Sequence, residues 1–320
     1  MDSAVAPISR PRLSVIVCTR NRGVRLNRFL DQMRQLVSPP GGWELVLVDN
    51  ASSDGTPAVI EGFTRQAPMS CHHVHAPQCG LARARNVGLA AARGEILVFT
   101  DDDCYPSPDY LCSIAKVFDE CAPAFIGGRV VLHDPTDAAV TVRDFAEPFD
   151  IPEYSYVSSS FIAGANMAIA RHVFEDIGGF DPHLGAGTPS MAGEDIDIVA
   201  RAVWAGWSGR YDPRPVVAHD HGRKPGRAAV RQSRGYDYGR GAYLAKRMFD
   251  SRARPVYLRR WAGRIFRRPG LATISRARRE VTGALRYLIE RSLHPEPVPR
   301  VYDNRSTDLS APGPMRTRQA

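Results

Sequence analysis

The feature that most narrows what this chain can fold into is an alternation near its start. Short apolar runs each end in a polar turn, and helix-periodic segments follow. Leu13 to Thr19 is a β-branched run closed by Arg20-Asn21-Arg22-Gly23, after which Leu26, Phe29, Leu30 and Met33 recur at helical spacing. The unit repeats with a strand at Glu44 to Asp49, the capping turn Asn50-Ala51-Ser52-Ser53-Asp54-Gly55 and a helix at Thr56 to Arg65. Cys71 to His75 is a weaker third strand, Gly80 to Arg93 an Ala- and Arg-rich helix closed by Gly94, and Glu95 to Thr100 a fourth, buried strand. Strands alternating with helices require crossover connections, so an α/β fold with a mostly parallel sheet is expected.

From about 105 to 222 the order loosens. A helix near 108–121, a strand at Phe125–Leu132, a stretch rich in Pro and Asp, and a helix at Glu194–Ala205 predict mixed sheet and irregular loops. Residues 226–293 read as helical and very basic, whereas 294–320 contain five prolines and are expected to be disordered. Charge divides along the same line: residues 1–222 carry 18 Lys and Arg against 27 Asp and Glu, and residues 223–320 carry 24 against 7. An acidic body that attracts cations and a basic extension suited to phosphate-bearing partners follow from that split. No stretch approaches the roughly 20 apolar residues that span a bilayer, and no charged start leads into an apolar signal segment. The six cysteines, Cys18, Cys71, Cys79, Cys104, Cys112 and Cys121, show no C-x-x-C pair and read as reduced cytosolic thiols.

The chemistry concentrates at strand ends. Asp101-Asp102-Asp103 directly follows the fourth strand, and consecutive carboxylates repel, so something must offset them. Alternation along an extended chain would send Asp101 and Asp103 to one side and Asp102 to the other. Ligands of open parallel sheets sit beyond the carboxyl ends of the strands. A hard divalent ion bound by one or two carboxylates and substrate phosphates is the usual use of such acids, which predicts a Mg²⁺- or Mn²⁺-diphosphate site. Elsewhere an acidic triplet is more often a helix-capping loop; its place after a buried strand reverses that reading. Asp49 ends the second strand at the same sheet edge, within reach of a base or ribose hydroxyl. Arg83 and Arg85 lie near a helix N-terminus, where backbone N–H groups and arginine forks favour an anion. Glu194 and Asp195 open a later helix and point about 100° apart, so only one of them can serve as a base. His219 and His221 end a strand with period-two spacing, and either could complete a metal site.

Five segments together resemble glycosyltransferase family 2: Ser14 to Asn21, Val48 to Gly55, Gly80 to Gly88, the Asp triplet and Gly193-Glu194-Asp195, supported by Gly164 to Met167 and Gly178 to Asp181. The resemblance covers roughly residues 12–222. It implies a GT-A nucleotide-diphospho-sugar transferase fold, Rossmann-like, between an N-terminal tail (1–11) and a basic helical extension (223–293). It implies further that Asp49 contacts the base, that Arg83 or Arg85 helps to hold the nucleotide, and that Asp101 lies near the ribose. Thr19, Arg20, Asn21, Asn86 and Asp102 complete the expected nucleotide-sugar site. Arg20 departs from the family, standing where an aromatic residue often stacks on the base. Asp103, with His219 or His221, would hold Mn²⁺ or Mg²⁺, and Asp195, in preference to Glu194, would be the general base of an inverting transfer.

The implied partners are a nucleotide-diphosphate sugar and a glycan or lipid-linked acceptor, met in the cytoplasm or at the inner membrane face. Tyr257, Trp261, Ile265 and Phe266 among the arginines suggest contact with an anionic membrane. A non-catalytic nucleotide-sugar-binding protein is the alternative, against which Glu194, Asp195 and His219 argue. The chain lacks the Gln-x-x-Arg-Trp pattern of processive synthases, the G-x-G-x-x-G of nicotinamide-binding folds and a P-loop. It also lacks nucleic-acid-binding signatures, so no nucleic-acid partner is expected.

Overall fold

A computed structural model describes residues 10–267 and 270–300. Residues 1–9, the part of the expected disordered tail from 301 onward, and the side chains of Ile265 and Phe266 lie outside the described residues. The first half follows the expected alternation. The strands are β1 (Leu13–Thr19), β2 (Trp43–Asn50), β3 (Ser70–Ala76) and β4 (Ile96–Asp101), and the helices α1 (Arg25–Arg34), α2 (Thr56–Thr64) and α3 (Leu81–Ala91). After β4 come β5 (Cys104–Pro106), α4 (Tyr110–Cys121), β6 (Phe125–Leu132), β7 (Phe149–Ile151), β8 (Met167–Ala170), α5 (Arg171–Ile177), α6 (Glu194–Ala205) and β9 (Gly209–His219). Three helices close the described chain: α7 (Arg227–Met248), α8 (Arg254–Arg267) and α9 (Leu271–Leu293).

One nine-stranded sheet runs β3-β2-β1-β4-β8-β6-β9-β5, with β7 added on β9. The first four strands are mutually parallel, whereas β8 pairs antiparallel with both β4 and β6. The strands β1 and β2 are almost wholly buried because helices cover both faces of the sheet. Alternation then divides their side chains. Ile16, Val46 and Val48 join α3, α5, α6, Tyr243 and Tyr257 on one face. Val15, Val17, Leu45 and Leu47 join α1, α2 and α4 on the other.

The C-terminal helices are part of this body. Tyr257 is fully buried in the first of those clusters and accepts a hydrogen bond from Tyr243 Oη at 2.6 Å. Where α7 crosses α9, a Cβ on Gly241 would overlap the carbonyl of Glu280, and one on Gly283 would overlap that of Tyr238. Only glycine permits so close a crossing. The segment 294–300, whose prolines predict little packing, docks on the body. His183 Nε2 lies 2.7 Å from the His294 carbonyl, and Gly179 N donates to Pro299 O at 2.8 Å.

Candidate active site

Topology places the site. The chain builds β1, β2 and β3 in one direction, returns to add β4 on the far side of β1, and so leaves a crevice beyond the carboxyl ends of β1 and β4. In register, Cys18 faces Asp101 and Thr19 faces Asp49. A cleft of about 770 Å³ opens there. It is lined by Thr19, Arg20, Asn21, Arg85, Asp101, Asp102, Asp103, Glu194, Asp195 and His219, ten of the fourteen residues expected from the sequence.

The β4 strand ends at Asp101, and the chain turns at Asp102 and Asp103, so extended alternation stops there. All three carboxylates line the cleft instead of facing opposite sides. Their repulsion is offset by Arg22, by Arg85 and, when protonated, by His219. Arg22 donates from Nε to Asp102 (3.1 Å) and from Nη2 to Asp103 (3.0 Å). Thr19 Oγ1 donates to Asp102 at 2.6 Å. Burial pushes the Asp102 carboxyl up to about 6, with Arg22 and Thr19 acting against it. Burial also works against ionisation of Asp103, but His219 and Arg22 outweigh it and hold this carboxyl below its ordinary value.

His219 Nε2 lies 3.2 Å from Asp103 Oδ1, and its Nδ1 is buried without a hydrogen-bond partner. Burial disfavours the imidazolium, yet the hydrogen bond to Asp103 raises the His219 pKa above its ordinary value. Carboxylate and imidazole donors facing one cleft suit a divalent ion such as Mn²⁺. Cys104 Sγ lies within 4.8 Å of the same donor atoms. Burial and the Asp101 charge drive its thiol far up, and a neutral thiol is a poor ligand for such an ion. Of the two histidines, His219 is the one at the cleft. The β9 strand ends there, and His221 turns to Asp137 (3.5 Å) and the Ala138 carbonyl (3.1 Å).

The α6 helix follows an N-cap at Gly193, which is left-handed, and presents three acids in its first turn. They divide. Glu194 is buried against Arg85 Nη1 at 3.0 Å, while Arg85 Nη2 reaches Asp101 at 3.4 Å. Burial, then the Asp195 charge, drives the Glu194 pKa up, opposed by Arg85. Asp195 stays open to the cleft, its Oδ2 accepting from Gly164 N at 3.0 Å and its Oδ1 from Ile196 N at 2.7 Å. A carboxylate held by two backbone N–H groups, beside an open volume, can take a proton from a bound hydroxyl.

Asp49, Arg83 and Asn86, like His221, are not brought into the cleft. Asp49 is buried beneath it, accepting from Ser52 N at 3.2 Å and paired with His75 at 3.0 Å. Arg83 turns to Glu296 at 2.5 Å. The Asn86 amide clamps the Phe180 backbone through both of its ends (2.9 and 2.7 Å). Asn21 lines the cleft but also ties two loops, its Oδ1 accepting from Ser53 N at 2.8 Å. Sequence reasoning missed Arg22, Arg143 and Arg223, and missed that α7 walls the cleft with Gln232, Tyr236 and Arg240. Arg22 had a signal, its place in the turn after β1; Arg143 had none.

The family model for glycosyl transferase family 2 matches residues 14–178. The pre-mycofactocin glycosyltransferase of Mycobacterium tuberculosis is 28% identical over 238 residues, covering 69% of this chain and 46% of the relative. The chain thus spans about half the length of that relative. Glycosyltransferase AglE of Haloferax volcanii is 27% identical over 199 residues, 62% of this chain and 63% of the relative. Among solved structures, the mannosyltransferase PcManGT from Pyrobaculum calidifontis, in complex with GDP-Man and Mn²⁺, superposes with a TM-score of 0.61 at 22% identity. The superposition covers 92% of this chain and 79% of that one.

Proposed function

The chain belongs to glycosyl transferase family 2, and we propose that it transfers a single sugar, with inversion, from a nucleotide-diphosphate sugar to a hydroxyl of a glycan or lipid-linked acceptor. One observation carries this reading: the Asp103–His219 pair and the open carboxylate of Asp195 line the same cleft beyond β1 and β4. Thr19, Asn21 and the Asp triplet form the donor wall. Asp195 accepts the proton of the acceptor hydroxyl while that oxygen bonds to the anomeric carbon and the bond from that carbon to the diphosphate oxygen breaks. Asp103 and His219 would hold a divalent cation, Mn²⁺ or Mg²⁺, which supplies positive charge to the departing diphosphate. Arg85 positions the catalytic helix, joining Glu194 of α6 to Asp101 of β4.

The test is thermal stabilisation of the purified protein by UDP-, GDP- and dTDP-sugars with Mn²⁺, Mg²⁺ or EDTA. One donor is expected to stabilise it in a metal-dependent way, by about 2.7 kcal/mol at a hundredfold excess over Kd. Asp103→Ala is expected to abolish that effect. Stabilisation without any nucleotide release in the presence of acceptor extracts would mark a binding protein instead; no response to any donor would reject the donor site.

The partner surface is proposed to be an anionic membrane face, reached through α9. Two of the aromatics expected to touch lipid do other work: Tyr257 is in the core, and Trp261 Nε1 donates to Glu280 at 2.8 Å. Ile274, Val281, Leu285 and Ile289 instead form an exposed stripe at helical spacing on α9, with exposed Arg278 within it and Arg286 alongside. Apolar side chains flanked by arginine, in a region with 24 basic and 7 acidic residues, complement anionic lipid. Among the described residues no helix is long and apolar enough to cross a membrane. The wild type is expected to float with phosphatidylglycerol vesicles but not with phosphatidylcholine vesicles, and Leu285→Asp/Ile289→Asp to stay behind. Equal flotation of both proteins, or none, rejects this surface.

A further inference from the structure

The base end of the cleft holds a cation that the transfer chemistry leaves unused. Arg143 lies in the irregular stretch after β6, where its backbone exchanges hydrogen bonds with Val130 (2.9 and 2.8 Å) and its carbonyl accepts from Tyr211 Oη (3.2 Å). The guanidinium is fixed as firmly. Nη1 donates to the Val142 carbonyl and Nη2 to the Ser159 carbonyl, both at 2.8 Å. Both acceptors are neutral, so neither compensates the charge, and each Nη keeps a second N–H. Its Nε is shielded from solvent with no partner, and so is Oγ1 of Thr141 two residues earlier. Thr141 and Arg143 line the cleft with Ser159, Ser160 and Gly164, whose N–H holds Asp195. The carboxylate whose charge acts on Arg143 is Asp195 itself. Asp103 and His219 feel the charge of Arg223 and not that of Arg143 among their main influences.

A half-buried guanidinium set on neutral carbonyls costs stability unless an anion completes it, and its planar fork matches an oxyanion. We propose that Arg143, with Thr141, is an anion subsite for the acceptor. The acceptor then carries a phosphate or carboxylate near the hydroxyl that receives the sugar, and Arg143 holds that group so that the hydroxyl meets Asp195. The inference rests on the assignment of Asp195 as the base.

The experiment is calorimetric titration of the full chain, in EDTA, with methyl phosphate and separately with methyl glucuronide. Wild type is compared with Arg143→Gln, Arg143→Lys and Arg223→Gln. One of the two anions is expected to bind the wild type, which also tells phosphate from carboxylate. Arg143→Gln is expected to weaken that binding about tenfold or more, the loss of one charge-assisted pair, while Arg223→Gln leaves it unchanged. If the Gln variant does not fold, Arg143→Lys carries the test: it keeps the charge but not the fork, and is expected to bind measurably but more weakly than the wild type. Failure of both anions to bind, survival of binding in Arg143→Gln, or its loss in Arg223→Gln overturns the subsite. Donor stabilisation of the wild type is read separately, so a failure there counts against the transfer reading and not against the anion site.

Discussion

Asp195→Asn is expected to bind donor and metal as the wild type does and to transfer sugar roughly 10²–10⁴-fold more slowly, the usual contribution of a positioned base. The argument is one of shape kept and basicity lost. Asp195 holds its place by accepting from Gly164 N through Oδ2 and from Ile196 N through Oδ1; the isosteric amide keeps one of these bonds through its single carbonyl oxygen and gives up the other, because its NH₂ can only donate. What the amide lacks is the ability to take the acceptor proton. The effect should fall on kcat, since the residues of β1 and β4 that line the cleft are untouched. Glu194→Gln is a contrasting control. Glu194 neutralises buried Arg85, so its loss should lower stability together with turnover. Turnover of Asp195→Asn close to wild type, measured as nucleotide-diphosphate release with acceptor present, would remove Asp195 from the role of base.

Asp197→Ala is expected to cost about 3–5 kcal/mol of unfolding free energy, the range for breaking a buried ion pair from one side. Asp197 is fully buried and receives Arg201 Nε (3.0 Å), Lys246 Nζ (2.7 Å) and Arg247 Nη2 (3.4 Å). Burial would raise its pKa, but Lys246, Arg201 and Arg247 prevail and hold it below the ordinary value. Alanine leaves those cations short of their shared acceptor. Lys246 retains Asp181 at 2.7 Å, and that carboxylate also accepts from Tyr287 Oη at 3.0 Å, so the network is weakened but not emptied. Urea denaturation followed by circular dichroism measures the loss. A change below about 1 kcal/mol, the range of exposed pairs, would show that the network is redundant.

Much of this was legible in the sequence, for physical reasons that differ by region. The strands β1, β2 and β4 are buried on both faces, so their apolar runs had few other readings. The strand β6 and the helix α6 fall where hydrophobic patterning placed them. Alternation failed at Asp102 and at His221 because each lies beyond the last residue of its strand, where the chain turns. The role of α7 was hidden for another reason. Most of the helix's buried apolar side chains gather in Ala242, Tyr243, Leu244 and Ala245, while the rest of the buried face is mainly Gly235, Asp237, Gly239, Gly241 and Arg247, so no continuous apolar stripe runs along it to read. Tyr257 and Trp261 were misplaced on a lipid-facing surface because composition cannot tell an aromatic that meets solvent from one that meets Tyr243 or Glu280 across the fold. Arg83 could not be placed, since its partner, Glu296, lies 213 positions away.

The helix α6 carries Asp195 and Asp197 in one turn, the first open to the cleft and the second fastened to Lys246 and Arg247 of α7. Any shift of α7 therefore drags Asp195 with it. This limits modularity. A chimera that borrows its C-terminal helices from a relative, in order to change the acceptor, would also detune the chemistry unless α6 travelled with them. The unit of inheritance for acceptor choice should be α6 through α9 taken whole, a stretch that begins beyond the last residue matched by the family model.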